Sequence, residues 1–321
     1  TRRSSDLFHD LANRQPIIAV WNMLYNTSSD LMLILPETED NLELRARTRK
    51  YHGLAGVVRI ERLGEIPQED RNQILEDLQF AAEHLENDIQ IPFNIARWYL
   101  LEAQEAERNA DTAAAEKHRQ QAVQIISDCY QENQDNLEAT INYFRVIANI
   151  EDRREQAMEL LPVMEQMALQ SDNVMQIQQV ANLLWQLDRE NVELANGEST
   201  RRGLIRAEKL TREILLRDPD NLQAMVELGL ILKNQQRTDE AIQWFQRATE
   251  DSQYAIVPAV RVALSQQWSA LKELADIAIV SIERTEDPEQ RQQLTEQAQD
   301  YVDDLVAAGA PLPLQAWMQG K

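Results

Sequence analysis

The sequence predicts an all-α chain built as a stack of helix pairs, and three observations lead there. Ala207, Ala241 and Ala275 recur at intervals of 34 residues. Each is accompanied in phase: Ile214, Ala248 and Ile282 stand seven residues after, and Ala195, Gly229 and Ala263 twelve before, with Leu194, Leu228 and Val262 beside them. Small residues at a fixed phase belong where two helix backbones approach, and the larger apolar ones fill the space alongside. An interval of this length marks an array whose single units are too thin to bury their own apolar face. Composition agrees, because only eight glycines and ten prolines interrupt 321 residues rich in Ala, Leu, Glu, Gln and Arg. No strand alternation stands out; the apolar run Leu54 to Ile60 suits a buried helix equally well.

Taken in order, residues 3–26 read as two helices broken at Gln15-Pro16, since a residue preceding proline avoids the helical region. Thr27-Ser28-Ser29-Asp30 reads as a loop of capping residues, and residues 37–64 as an irregular stretch punctuated by Gly53, Gly56 and Gly64. From Pro67 the pattern is firmer. Pro67-Gln68-Glu69-Asp70 places proline and acids at a helix start, with Ile74, Leu78, Ala81, Ala82 and Leu85 as the apolar stripe. Pro92 opens the next helix, carrying Ala96, Tyr99, Leu100 and Ala103, and Asp111-Thr112 caps a third, carrying Ala115, Ala122, Val123 and Ile126. Helices then follow over 136–149 and 152–169, and from a Ser171-Asp172-Asn173 cap to Trp185. Asp135-Asn136-Leu137 and Asp220-Asn221-Leu222 are near-copies at two helix starts. The polar stretch around Asn196-Gly197-Glu198-Ser199-Thr200 marks an insertion within 186–202 that breaks the interval. Asp287-Pro288-Glu289 begins a last helix, polar on most of its surface and ended by Gly309, as suits a cap on an array. The expected divisions are thus 1–66, an irregular helical start continuous with the array; 67–187, divergent pairs; 188–286, regular repeats; and 287–321, a capping helix and tail.

The formal charge is −22. Binding to nucleic acid needs a basic stripe that releases counterions, so this balance argues against it, and equally against an anionic membrane surface. It favours a partner of basic character. Cys129 is the single cysteine, which excludes an internal disulfide and reads as a packed core residue. No apolar run has the length of a membrane span. The compartment is left open between cytoplasm and periplasm. The chain opens at Thr1 without a charged-then-apolar leader and reads as a segment of a longer protein.

The stretch from Leu222 to Ala255 resembles a tetratricopeptide repeat. Leu228-Gly229 matches the family's Leu-Gly pair in its first helix, Asp239-Glu240-Ala241 the opening of its second, Phe245 the aromatic position and Ala248 the later small one. Pro219 ends the preceding unit where the family has proline. Ala207 and Ile214 before it, and Val262, Ala263, Ala275 and Ile282 after it, keep the register. Gln236 departs from the family's turn glycine. The resemblance implies a right-handed superhelix whose first helices line a concave groove for a peptide or another protein. Transferred residue by residue, the groove contacts are Val226, Leu230, Lys233, Asn234, Arg261 and Trp268. Val226 and Leu230 occupy positions that a carboxylate-gripping clamp fills with polar groups, so an apolar or amphipathic peptide is the expected ligand. The alternative is that these residues pack against the chain's own helix over 289–308.

Catalytic signatures are lacking. His9, His52, His84 and His118 have no metal-ligand spacing and read as surface or half-buried side chains. No phosphate loop and no Gly-x-Ser-x-Gly turn occurs. No enzymatic activity, cofactor or metal is expected. Trp98, Trp185 and Trp244 read as core wedges. The functional expectation is a non-catalytic protein-interaction scaffold. Two other readings stay open: a module of a larger enzyme or envelope assembly whose catalytic part lies elsewhere, and self-association through residues 1–66.

Overall fold

The structure, a computed structural model, describes residues 20–64, 66–189, 201–251 and 260–308. Fourteen α-helices and two short 3-10 turns carry them, with no strand among the described residues. The chain divides into two compact units that meet in sequence between Met164 and Glu165.

The first unit holds α1 (20–34), α2 (Leu42–Leu63), α3 (Gln68–His84), α4 (Gln90–Arg108), α5 (Thr112–Glu132), α6 (Leu137–Ile147) and the single-turn α7 (Arg154–Glu159). α2 packs on α3 and α4 on α5, while the first helices of successive pairs, α2, α4 and α6, also touch in turn. The core runs through Leu54, Val57 and Ile60 of α2, Ile74 and Leu78 of α3, and Ile91, Ile95 and Trp98 of α4. Each such side chain removed from water contributes about 1.5–3 kcal/mol before entropy is counted. Caps follow the sequence: the Asp111 carboxylate accepts from the Ala114 N–H at 3.0 Å, and Asn136 Oδ1 accepts from Glu138 and Ala139.

Two stretches of this unit depart from the sequence expectation. Thr27 to Asp30 is helix, not loop, and α1 runs on to residue 34. The hydroxyls expected to cap instead bond backwards, Ser28 to the Leu24 and Tyr25 carbonyls and Ser29 to the Tyr25 carbonyl, which lets serine sit inside a helix. Residues 37–64, expected to be irregular, are mostly the 22-residue helix α2. Gly53 and Gly56 lie in its middle because α3 leaves no room for more: a Cβ on Gly53 would fall 2.5 Å from Leu78 Cγ, and one on Gly56 2.4 Å from Ile74 Cγ1. Only Gly64, at φ 76°, ends a helix. The two helices expected over 3–26 lie mostly outside the described residues.

α8 (Leu161–Gln170) crosses the division, and the second unit continues with α9 (Val174–Arg189), α10 (Arg201–Arg217), α11 (Leu222–Asn234), α12 (Thr238–Asp251), α13 (Val260–Arg284) and α14 (Pro288–Ala307). The pairs are α9–α10, α11–α12 and α13–α14. Ala207, Ala241 and Ala275 are all fully buried, as are Ile214, Phe245 and Ala248. Ala275 does not open a second helix, however. α13 is one continuous helix of 25 residues, and the turn expected between Trp268 and Ala275 is missing. Gln266-Gln267-Trp268-Ser269-Ala270-Leu271-Lys272-Glu273 contains no glycine, proline or asparagine to stop a helix. α14 covers it and is mostly solvated, burying Ala298 and Leu305. The insertion expected within 186–202, and Gly309, lie largely or wholly outside the described residues.

Candidate partner-binding surface

α11 is fixed at both ends by hydrogen bonds. Asn221 Oδ1 accepts from the Ala224 N–H at 2.9 Å. At the far end the Gln236 N–H donates to the Lys233 carbonyl (3.0 Å) and the Arg237 N–H to the Leu232 carbonyl (2.9 Å), with Gln236 at φ 65°. This is the left-handed closure that glycine usually supplies, and here glutamine adopts it. Gly229 admits the Phe245 ring of α12, whose Cε1 would stand 2.4 Å from a Cβ at that position. Ala224, Leu228, Ile231 and Leu232 are thereby buried, while Gln223, Glu227, Leu230, Lys233 and Asn234 remain half or fully exposed.

The residues selected from sequence have unequal fates. Val226 is 3% exposed and belongs to the core. Leu230 is half-buried and Asn234 exposed. Lys233 forms an ion pair with Glu273 of α13. Trp268 packs with Leu271, Tyr301 and Leu305, and its indole Nε1–H donates to the Ala308 carbonyl at 3.1 Å; it meets the C-terminal helix. Arg261 lies in the first turn of α13, and its side chain is outside the described residues.

Around Leu230 the structure gathers two polar clusters that residue spacing did not reveal. In one, the Glu227 carboxylate accepts from Gln223 Nε2 at 2.8 Å and from the Gln178 amide of α9. Burial pushes the Glu227 carboxyl up to about 7, against the pull of its amide bonds from Gln223, Asn182 and Gln178. In the other, Lys233 and Lys272 share Glu273, and Lys272 Nζ also reaches Asp276 Oδ2 at 3.0 Å. Burial opposes the Lys272 charge, but the Glu273 and Asp276 carboxylates outweigh it and hold the ammonium above its usual value. The first cluster joins residues 49 apart. The interval of 34 does not align them, because the stretch between α9 and α10 is longer than one turn.

In the first unit, His52 Nδ1 and Asp77 Oδ2 are hydrogen-bonded at 2.6 Å. Gln73 Nε2 donates to the other carboxylate oxygen at 3.2 Å, and the Arg49 guanidinium lies 3.7 Å away. The His52 ring stacks on Tyr25 at 4.1 Å. The dyad has the composition of an acid–base pair, yet His52 is 3% and Asp77 0% exposed, so it ties α2 to α3 out of reach of any substrate. His52 thus differs from the surface or half-buried position expected for it. Arg71 and Glu102 make the equivalent buried tie between α3 and α4, and the Trp98 indole donates to the Arg71 carbonyl at 2.9 Å.

Among the described residues no three His, Cys, Asp or Glu side chains converge to hold a metal ion. Nor is any described helix long and apolar enough to cross a membrane.

No protein-family model matches the chain, and no curated protein matches it. Among solved structures, it is similar to the S. pombe nuclear import adaptor Nro1, at 12% identity over 96% of this chain and 88% of that one, with a TM-score of 0.39. It is similar to human IFIT1, solved as a dimer with PPP-AAAA, at 12% identity over 91% of this chain and 69% of that one, TM-score 0.40. A circular tandem repeat protein matches at 14% identity over 90% and 78% of the two chains, TM-score 0.33. Likenesses at this level carry no functional argument.

Proposed function

We propose that the chain is a non-catalytic interaction scaffold of the tetratricopeptide-repeat kind, which takes a protein or peptide against the first helices α9, α11 and α13. The observation that carries this reading is the stripe Gln223–Leu230–Asn234 on α11, set between two polar clusters that are already paired. Side chains held by their neighbours lose little freedom when a ligand arrives. The amides of Gln178, Asn182 and Gln223 supply both donors and acceptors, which an extended peptide backbone requires. Leu230 is the apolar anchor and Asn234 the polar contact beside it. Val226 and Trp268 serve the scaffold, and Lys233 orients α11 against α13.

The experiment is comparative capture from the native extract, read by mass spectrometry, with the wild-type chain, Leu230→Asp and Leu230→Asp/Asn234→Ala. All three should melt alike by circular dichroism, because Leu230 is only half-buried. Partners recovered by the wild type and lost by both variants support the reading. An identical set recovered by all three overturns it.

A further inference from the structure

A second surface of different character lies in the first unit, away from the stripe on α11. The turn between α3 and α4 and the end of α5 enclose a pocket of about 370 Å³. Its floor is apolar: Leu85 at the end of α3, Ile91 and Ile95 at the start of α4, and Ile125 and Cys129 on α5. Asn87, at φ 62°, turns the chain tightly enough to bring these ends together.

The rim is acidic throughout. Glu86, Asp88, Asp128 and Glu132 line it, and no lysine, arginine or histidine does. Asp88 is engaged by Lys50 at 2.6 Å. Glu86, Asp128 and Glu132 are exposed and form no ion pair among the described residues. Burial pushes the Cys129 thiol up, and the Glu132 carboxylate adds to that, which places this negative charge at the pocket itself. The crevice on the other side of the same turn, about 710 Å³, differs: Arg47, Lys50 and His84 face Glu39, Glu43 and Asp88 there, and its charges neutralise one another. An apolar floor inside an unneutralised ring of carboxylates is complementary to one kind of ligand only. We infer that this pocket docks a basic segment of a partner protein, one that inserts a large aliphatic side chain between Leu85, Ile91 and Ile125 and sets flanking arginines or lysines against Glu86, Asp128 and Glu132. The rim charges supply orientation and rate of encounter, and the floor supplies residence.

The test uses the full chain and a fluorescein-labelled peptide in which pairs of arginines alternate with pairs of leucines. A second peptide replaces leucine by serine and keeps every arginine. The leucine peptide should bind at least about tenfold more tightly, and added salt should weaken it. Asp128→Lys with Glu132→Lys should reduce affinity about tenfold or more, as should Ile125→Lys. Asp303→Asn with Asp304→Asn, on the solvated face of α14, should change nothing, and neither should Leu230→Asp. Cys129 is the only thiol in the chain, so its alkylation by a maleimide reports the pocket in the unaltered protein, and the bound leucine peptide should slow it. Equal binding of the two peptides would reduce the effect to attraction by net charge and overturn the inference. So would undiminished binding by the Asp128→Lys/Glu132→Lys variant, or no protection of Cys129. Sedimentation of the wild type as a dimer that Ile125→Lys dissociates would assign the pocket to a second copy instead.

Discussion

The pairs α2–α3 and α11–α12 solve one packing problem with different residues. Both bring two helix backbones closer than a side chain allows. In α11 a single glycine, Gly229, receives the flat ring of Phe245. In α2 two glycines three residues apart, Gly53 and Gly56, receive Leu78 and Ile74, which are four apart on α3. The antiparallel order, with the later glycine meeting the earlier partner, is that of a helical hairpin. The lesson is that a close approach needs missing atoms on one helix and a matched bulge on the other, and leaves the identity of the bulge free. The ring is rigid where it meets Gly229, whereas aliphatic side chains have rotamers to retreat into.

The sharpest way to break this comparison is Gly229→Val. Two added methyl groups against a fully buried ring cannot be relieved by a rotamer change, and overpacking on top of a lost close approach costs about 3 kcal/mol or more. The α11–α12 pair should lose its cooperative unfolding in urea. Gly53→Ala and Gly56→Ala should each cost less, about 1–2 kcal/mol net, since the clash is partly offset by the better helix propensity of alanine. Denaturation midpoints ranking these with the valine variant of α11 would reverse the argument about rigidity.

The two pairs also bury a carboxylate differently. Asp77 on α3 is met by His52, Gln73 and the Arg49 charge. Glu227 on α11 is met by amides alone, and its carboxyl stands at about 7 instead of 4.5. A carboxyl raised in the folded state contributes stability that is complete below about 4.5 and disappears as the pH climbs through about 7. The wild type should therefore lose about 2–3 kcal/mol between those limits relative to Glu227→Gln, which keeps the amide contacts and does not titrate. Parallel slopes for the two proteins in stability against pH would remove Glu227 as the cause. Smallest is the effect at the turn. Gln236 holds φ 65°, a conformation that costs a residue with a Cβ about 1 kcal/mol compared with glycine. Gln236→Gly should raise the thermal midpoint by a few degrees, and Ala110→Gly, at φ 59° in the α4–α5 turn, should do likewise.

Much of the helical order was legible from sequence because caps are local: Asp111, Asn136, Asn221 and Asp287 each hydrogen-bond within three residues. The α11–α12 pair was legible because its contacts fall at a recurring interval. α2 was not, because a mid-helix glycine looks like a break until the side chain opposite it is known, and Ile74 and Leu78 lie on another helix. The continuity of α13 was hidden for the reverse reason: Ala275 keeps the phase of its predecessors, and nothing in that phase says whether a turn precedes it. Of the proposed contact residues, spacing found the right stripe of α11. It missed Glu227, Glu273 and the α9 amides, whose meeting depends on a connection of irregular length.

The unbroken α13 has a mechanical consequence. At about 1.5 Å per residue it is a rod roughly 37 Å long, and it touches α11, α12 and α14 along the way. Two helices joined by a turn can shift past one another; one rod cannot. A ligand that levers Lys233 away from Glu273 therefore pushes on the same beam that α14 grips at Trp268 and Leu271, and strain applied at one side of the second unit is delivered to the other without a joint to absorb it.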